Sequence, residues 1–343
     1  MNRFLLRETT PDDSTALNLL YRKHTGIGRS HEEFLWEWFL GPYGPARSWV
    51  IIDRATHRIA AHHGVIRCSI WFNGHVIWAA RTENSMVDPE YRGQVMYVSY
   101  EAVLLKKLLE EFDLVFTTTG KGIPGAIRKR LGYRSIGHWC SFVIHEPPSY
   151  IAARFAGKLA GRVAFALTPK RNDRQGAYSF EPTEDTDRIA ALWDRSRTAY
   201  EFAPQRDAAF LRWRLMDNPY NQAQLAIVTK EGEDFGFVAW SDRQSRHSGR
   251  EVLIEDIFCT VNDAPSYVAL LATLRRALNF PSARIVLRTV KADSPLCIAA
   301  RSSIPRRFKQ HSFDDGAELL VRTRDPIDLP VSTMTMLITE GID

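Results

Sequence analysis

The sequence contains the same succession of motifs twice, once in each half of its 343 residues. Each copy begins with a short apolar run and then a proline followed by carboxylates, at Pro11-Asp12-Asp13 and at Pro182-Thr183-Glu184-Asp185. Proline in a first turn, with acidic residues beside free N–H groups, predicts the start of a helix. Apolar residues at helical spacing follow in both copies. A repeat of this length predicts two folding units of one kind.

A second shared signature ends the next helix of each copy. Trp36 precedes Pro42-Tyr43 by six residues, and Trp213 precedes Pro219-Tyr220 by the same interval. Proline favours a helix end because it lacks an N–H and crowds the preceding turn. Strands, a long helix, another strand and a short helix then follow in the same order in both copies.

The repeat predicts an α/β fold of the α+β, mixed-sheet type, built from two tandem domains that arose by internal duplication. We place the domains at residues 1–145 and 177–343, each with a central, largely antiparallel sheet flanked by helices. Residues 146–176 form a linker that begins with Pro147-Pro148 and is rich in basic residues. Its middle could form a basic amphipathic helix on an anionic membrane. A helix that packs across both domains is the interpretation we favour.

Composition narrows the classes of function. The sequence has no run of about 20 apolar residues, so we expect no membrane span. The four cysteines are far apart, without a CxxC pair or metal-ligand spacing, which predicts reduced thiols, no metal site and a cytoplasmic location. The net charge of +5 favours anionic ligands or reflects ordinary surface residues. Aromatic residues do not alternate with the basic runs, so we expect no nucleic-acid partner.

The turn after the predicted strand Trp78–Val87 reads Asp88-Pro89-Glu90-Tyr91-Arg92-Gly93-Gln94 and leads into a long helix. Free N–H groups and the positive helix end can hold an anion there, although an ordinary strand-to-helix connection has the same pattern. The segment resembles the coenzyme A (CoA) pyrophosphate loop of the GNAT acyltransferase superfamily, whose pattern is Gln/Arg-x-x-Gly-x-Gly/Ala. Leu131-Gly132-Tyr133 is similar to the Gly-Phe/Tyr that closes the family's last helix.

The resemblance implies an enzyme that uses acyl-CoA as co-substrate and acylates a primary amine. It implies CoA contacts at Val87, Asp88, Arg92, Gly93, Gln94, Val95 and Met96. The chain departs from the family pattern, because Val95 and Tyr97 stand where the family has small residues. The second copy departs further, since it has no Arg-Gly after Cys259. We therefore expect one CoA molecule in the first copy, and an acceptor cleft with one wall from the second.

The family reaction needs a base for the ammonium, a donor for the oxyanion and a proton for the thiolate. Glu83 is the first candidate base, and the alternative is an ion pair with Arg81 on the same strand face. His62 and His63 are further candidates, but neighbouring strand residues face opposite sides, so only one can reach a cleft. Where the family carries its tyrosine acid, the sequence has Arg128, so Tyr133 or solvent would supply the proton.

The chain is similar, more narrowly, to tandem-domain GNATs that acylate nucleotide-linked amino sugars for bacterial surface polysaccharides. Phe210-Leu211-Arg212-Trp213-Arg214, Asn218-Pro219 and Thr339-Glu340-Gly341 carry this resemblance. The candidate acceptor-binding residues are Arg81, His62, Glu255 and Asp256. Outside a cleft, the last two would form a solvated edge.

Two other functions are compatible with the sequence. A non-catalytic GNAT-like binding module would explain the departures at Val95 and Tyr97. A tandem-GNAT aminoacyl transferase of the peptidoglycan-bridge type would take its acyl group from charged tRNA and would need a basic face for it. Affinity for acyl-CoA separates these functions from an acyl-CoA-dependent enzyme.

Overall fold

The computed structural model describes residues 3–95, 97–119, 123–145, 177–244, 250–278, 283–291, 294–303, 312–325 and 329. The first half comprises β1 (Phe4–Glu8), α1 (Ser14–Thr25), α2 (His31–Trp38), β2 (Arg47–Asp53), β3 (Ile59–Phe72), β4 (His75–Val87), α3 (Tyr97–Glu111), β5 (Leu114–Thr119), α4 (Ile123–Arg130) and β6 (Arg134–His145). The predicted linker 146–176 and Met96 lie outside the described residues.

The second half has the same order of elements, with one added short strand. It comprises β7 (Tyr178–Pro182), α5 (Thr186–Ser196), β8 (Phe202–Pro204), α6 (Ala208–Leu211), β9 (Gln224–Lys230), β10 (Glu233–Gln244), β11 (Arg250–Cys259), α7 (Ala264–Leu278), β12 (Ala283–Lys291), α8 (Pro295–Ser303) and β13 (Ser312–Thr323). A π-helical turn, Arg212–Met216, continues α6.

The predicted mixed sheet is confirmed, but it is one sheet and not two. The strands follow the order β1-β2-β3-β4-β5-β13-β6-β12-β11-β10-β9-β7, and β8 pairs with β3. Two pairs, β4–β5 and β11–β12, are parallel and the others are antiparallel. The sheet is continuous because β13 pairs with β5, β6 pairs with β12, and β6 and β13 pair with each other. The last strand of each half therefore completes the sheet of the other.

Helices cover both faces of the first half's sheet. α1 and α2 pack on one face, around Val50 and Met86. α3 packs on the other face, around Trp49, Val65 and Ala80. We call these the α2 face and the α3 face. Adjacent residues of β2, Trp49 and Val50, alternate between the two faces as the period of a strand requires.

Two buried arginines occupy matching positions in the two halves. Arg29 precedes Ser30, the N-cap of α2, and Arg206 precedes Asp207, the N-cap of α6. Each guanidinium lies 4.6 Å from the ring centroid of an aromatic residue on the preceding helix, Tyr21 for Arg29 and the tryptophan Trp193 for Arg206. Cation–π contacts of this kind contribute more when the cation is desolvated.

Candidate active site

The first half opens where β4 and β5 part. Their parallel pairing runs from Ala79–Leu114 to Arg81–Phe116 and then ends, although β4 continues to Val87. Beyond that point β5 pairs, among the described residues, with β13 alone. The result is a wedge in the sheet, flanked by the last part of β4, the start of α3 and α4.

A bulge in β4 determines which side chains face the wedge. His62 pairs with Met86 but Gly64 pairs with Glu83, so β4 has one extra residue there. Asn84 takes a left-handed conformation with φ of 48°, which asparagine tolerates better than most residues. An extra residue reverses the alternation of a strand. As a result, Glu83 contacts Arg81 while Ser85 contacts groups of the α3 face.

Glu83 is in an ion pair with Arg81, the alternative considered for it from the sequence. The Glu83 side chain keeps 16% of its exposure, so it reaches solvent. The guanidinium engages the carboxylate that would otherwise be free to accept a proton. The function of a base and the function of an ion-pair partner would therefore both fall on the carboxylate of Glu83.

Glu37 is a buried carboxyl on the α2 face that the sequence did not single out as functional. Arg29 Nη1 lies 2.6 Å from its Oε2, and Asn84 of the bulge donates to its Oε1. Burial raises the pKa of Glu37 to about 7, against the opposing effect of Arg29, and Glu83 raises it further. Its signal in the sequence is a carboxylate between Trp36 and Trp38, in the apolar second half of α2.

His62 and His63 face opposite sides, as predicted. On the α2 face, His62 Nδ1 lies 2.8 Å from the Asn84 carbonyl and Nε2 lies 2.7 Å from Ser48 Oγ. A carbonyl only accepts, so Nδ1 carries the proton and donates it. Burial lowers the pKa of His62 to about 4, so the ring is neutral. His62 therefore holds the bulge in place and does not face the wedge.

Five polar side chains meet on the α3 face, beside the wedge. His63 Nδ1 lies 2.8 Å from the Tyr97 hydroxyl and 3.2 Å from Ser85 Oγ. Arg128 Nη2 donates to Ser85 Oγ at 3.1 Å, and Arg128 Nε donates to Glu101 Oε1 at 3.0 Å. We call this set the Arg128 cluster; its members are His63, Ser85, Tyr97, Glu101 and Arg128.

Burial changes the proton chemistry of this region. It lowers the pKa of His63 to about 3, with a further contribution from Arg128, so His63 is neutral but weakly basic. Burial also raises the pKa of Tyr97 and of Tyr133 above the ordinary phenol value. Tyr133, the predicted acid, packs in the core of the α3 face with Leu104 and Leu320. Both tyrosines hold their protons tightly.

The loop between β4 and α3 is held by contacts at its start. Asp88 is 4% exposed, receives an ion pair from Lys23 at 2.9 Å and accepts from the Glu90 N–H. The N–H groups of Gln94 and Val95 both donate to the Tyr91 carbonyl. Those two N–H groups are therefore engaged within the loop, unlike the open cradle predicted from the sequence.

Val95 does not obstruct the loop. It stands where the family has a small residue, and its side chain is buried with Ile51, Ala61 and Tyr91. Arg92, Gly93 and Gln94 are exposed beside it. Gly93 has a φ of 81° and open space where a Cβ would lie, so backbone conformation and not crowding is what requires glycine there.

The acceptor candidates of the second half have partners within the protein. Asp256 accepts two hydrogen bonds of 2.8 Å from Arg206, and both side chains are buried. Glu255 accepts from Ser241 and from Asn221, which lies 3.2 Å away. These contacts join elements of the second half. Burial, together with the smaller effect of the nearby Arg81 charge, lowers the pKa of Arg214 to about 10. Arg214 therefore links the charges of the second half to Arg81 of the first half.

Solved structures with the same architecture include acyltransferases. A GCN5-related N-acetyltransferase from Anabaena variabilis has a TM-score of 0.63 and 12% identity over 94% of this chain and 73% of that one. A probable N-acyltransferase from Enterococcus faecalis has a TM-score of 0.61 and 12% identity over 94% and 72% of the two chains. N-myristoyltransferase from Saccharomyces cerevisiae, solved with bound myristoyl-CoA, has a TM-score of 0.58 and 10% identity over 94% and 83%.

No protein-family profile matches the sequence, and no curated protein does. The structural likeness shows that the chain has a GNAT-type fold, as predicted, and it is consistent with two GNAT-like halves. In the parts of the chain that the structure describes, no helix has the length and apolar character to cross a membrane.

Proposed function

We propose that this protein is an N-acyltransferase that moves an acyl group from acyl-CoA to a primary amine. The observation that carries the proposal is the wedge between β4 and β5, which opens beside an exposed Arg-Gly turn and the start of α3. A thioester in the wedge would lie next to the Arg128 cluster on one side and near Glu83 on the other. The fold of the solved N-acyltransferases supports this function.

The first half fits the phosphates of CoA and the second half does not. α3 has no acidic residue in its first turn, and Arg92 stands exposed just before it. Among the described residues, Arg92 has no acidic partner. In the second half, Asp263 receives a hydrogen bond from the Ser266 N–H, so a carboxylate already occupies the start of α7. A second anion there would meet charge repulsion.

Arg92, the Gly93 backbone and the start of α3 would therefore hold the CoA phosphates. Gln94 and Val95 would shape the loop and not donate to phosphate, since their N–H groups bind the Tyr91 carbonyl. Bound CoA supplies an activated thioester carbonyl. The protein supplies the orientation of that carbonyl toward an amine on the α2 face.

The amine would lose its proton to a carboxyl of the α2 face. Glu83 reaches solvent and lies next to the bulge, which makes it the first base. Glu37 is coupled to it, because the charge of Glu83 raises the pKa of Glu37. Glu37 would thus hold a proton more readily when Glu83 is ionised. Glu83 would accept the proton from the amine, and Glu37 would then hold it.

The acceptor would bind where the two halves meet, with Arg81, Glu83 and Arg214 on its wall. Charges of both signs suit a ligand that has an ammonium group and an anionic part. A nucleotide-linked amino sugar has both, which supports it as the acceptor class. The resemblance in the segment Phe210–Arg214 points to the same class.

A screen of acyl-CoA donors against nucleotide-linked amino sugars, read by release of free thiol, tests the proposal. Arg92→Met should weaken acyl-CoA binding. The matched control is Lys129→Met, because Lys129 is a basic surface residue of α4 that pairs with Glu318. Absence of acyl-CoA binding would indicate a non-catalytic module. Transfer from charged tRNA without CoA affinity would indicate the aminoacyl transferase.

A further inference from the structure

Arg128 is a buried cation beside the wedge. Its side chain keeps 8% of its exposure and pairs with Glu101, which keeps 4%. A guanidinium has five N–H donors. Within the described residues, two of them are engaged, one by Glu101 and one by Ser85. The other three N–H donors have no partner among the described residues. They belong to a charged group that is held near the point where β4 separates from β5.

The second half shows that the fold does not need this ion pair. The buried residues of α3 are Glu101, Leu104, Leu105 and Leu108, and the matching residues of α7 are Tyr267, Leu270, Leu271 and Leu274. The buried residues of α8, which matches α4, are Leu296, Cys297, Ala299 and Ala300, all apolar. Removing two charges from water offsets much of their attraction, so apolar residues are commonly as stable or more so. We therefore attribute the Arg128–Glu101 ion pair to a function that only the first half performs, and not to stability of the fold.

The chemistry of the wedge lacks a ready acid. Tyr97 and Tyr133 hold their protons more tightly than an exposed phenol, because both are buried. His63 is neutral and contacts Tyr97. Arg128 is the charged donor of the cluster, and its charge does not depend on pH in the working range.

We propose that Arg128 is a catalytic residue that stabilises the departing sulfur of CoA as a thiolate. The inference rests on the proposed acyl transfer. The amine nitrogen forms a bond to the carbonyl carbon, and the carbon–sulfur bond breaks with its electron pair going to sulfur. The ammonium loses one proton to the carboxyl of the α2 face before the attack, and the nitrogen loses its second proton to water as the amide forms. No proton moves to sulfur in this step, and the thiolate takes its proton from solvent after release.

The direct test is the ultraviolet absorbance of the thiolate of CoA bound to the full-length protein, measured against pH. A guanidinium beside an acidic group lowers the pKa of that group by about 1–3 units, so the thiol of bound CoA should ionise that much below free CoA. In Arg128→Met with Glu101→Met, which leaves no unpaired carboxylate, the thiol should return to its free value. Transfer should fall by roughly 10²–10³, as when one charge-stabilising donor is removed.

Two further variants separate the possible outcomes. Arg128→Lys keeps the charge and should keep part of the shift, whereas Arg92→Met should weaken CoA binding without changing the thiol pKa of the bound fraction. An unshifted thiol on the wild-type protein overturns the inference even if the double variant does not fold. Acyl transfer with an unshifted thiol leaves the proposed function standing. A wild-type protein that binds no CoA overturns both.

Discussion

Trp36 and Trp213 stack on each other across the two halves, and each donates its indole N–H to the backbone carbonyl of the other. The ring centroids are 4.8 Å apart with an interplanar angle of 20°, and the hydrogen bonds measure 3.1 and 3.3 Å. The reciprocal contact is the pattern of a twofold interface, in which the same patch is used twice. It joins the two residues that mark the repeat in the sequence.

Trp36→Ala should lower the free energy of unfolding by about 3–5 kcal/mol, because it removes a buried indole and leaves a carbonyl without its donor. Trp213→Ala should have a similar effect. Since each change removes the same contact, the double variant should cost less than the sum of the two. Urea denaturation of the four proteins measures the coupling. Trp78→Ala is the control, because Trp78 is 45% exposed. If the losses of the two single variants add up exactly in the double variant, the contact between Trp36 and Trp213 does not stabilise the protein.

Gly93→Ala should lower acyl-CoA affinity, because a left-handed residue with a Cβ strains the loop by about 1–2 kcal/mol. Gly74→Ala is the matched control, since Gly74 has a φ of 90° and the same open surroundings, in the turn between β3 and β4. Both variants should lose similar stability in thermal unfolding. Only Gly93→Ala should weaken binding, measured by calorimetric titration with CoA. Equal affinities in the two variants would move the phosphate site away from this loop.

Glu83→Gln should lower turnover by roughly 10²–10⁴ with CoA binding intact, because the amide keeps the size of the side chain but cannot take the ammonium proton. Raising the pH should restore part of the activity by supplying neutral amine. Glu255→Gln, at the matching part of β11, is the control and should leave kcat nearly unchanged, because Glu255 accepts hydrogen bonds from Ser241 and Asn221 of the second half. If Glu83 serves only as the partner of Arg81, turnover stays normal and stability falls by about 1 kcal/mol or less.

The unfolding free energy should decrease as the pH falls from 6.5 toward 4. In the folded protein burial lowers the pKa of His62 to about 4 and of His63 to about 3, against 6.5 when unfolded. In that window the unfolded chain binds more protons, so acid favours unfolding, by roughly 3 kcal/mol for each histidine at most. Glu37 opposes this, because its raised pKa of about 7 makes the folded form bind a proton first as the pH falls.

Urea denaturation at several pH values measures this slope. His62→Asn and His63→Asn should each flatten it. His57→Asn is the control, because His57 is exposed and asparagine accepts its φ of 57°. A slope that His62→Asn leaves unchanged would contradict the buried neutral imidazole.

Fragments 1–145 and 146–343 should fold together but not separately. The first fragment lacks β13, which pairs with β5, and the second lacks β6, which pairs with β12. Each fragment alone would expose an unpaired strand edge, which promotes aggregation. Co-purification of the two tagged fragments, with cooperative unfolding of the mixture, checks the expectation. A monomeric fragment that unfolds cooperatively by itself would refute it.

The sequence by itself determined the features that depend on local spacing. Carboxylates beside the first turns predicted the starts of α1 and α5, because they satisfy N–H groups within a few residues. The period of a strand predicted that His62 and His63 face opposite sides. The order of the elements predicted the mixed α/β sheet, and the resemblance of the Asp88–Gln94 and Leu131–Tyr133 segments implied the GNAT-type fold.

Only the tertiary structure decided where the side chains of the site lie. One extra residue at Asn84 sends Glu83 and Ser85 to different faces, and no local pattern reveals a bulge. The side chain of Val95 packs into the core because apolar residues lie beneath the loop. Arg128 and Ser85 are 43 residues apart, and Trp36 and Trp213 are 177 apart. Contacts over such separations depend on how whole elements pack, which the spacing within one element does not specify.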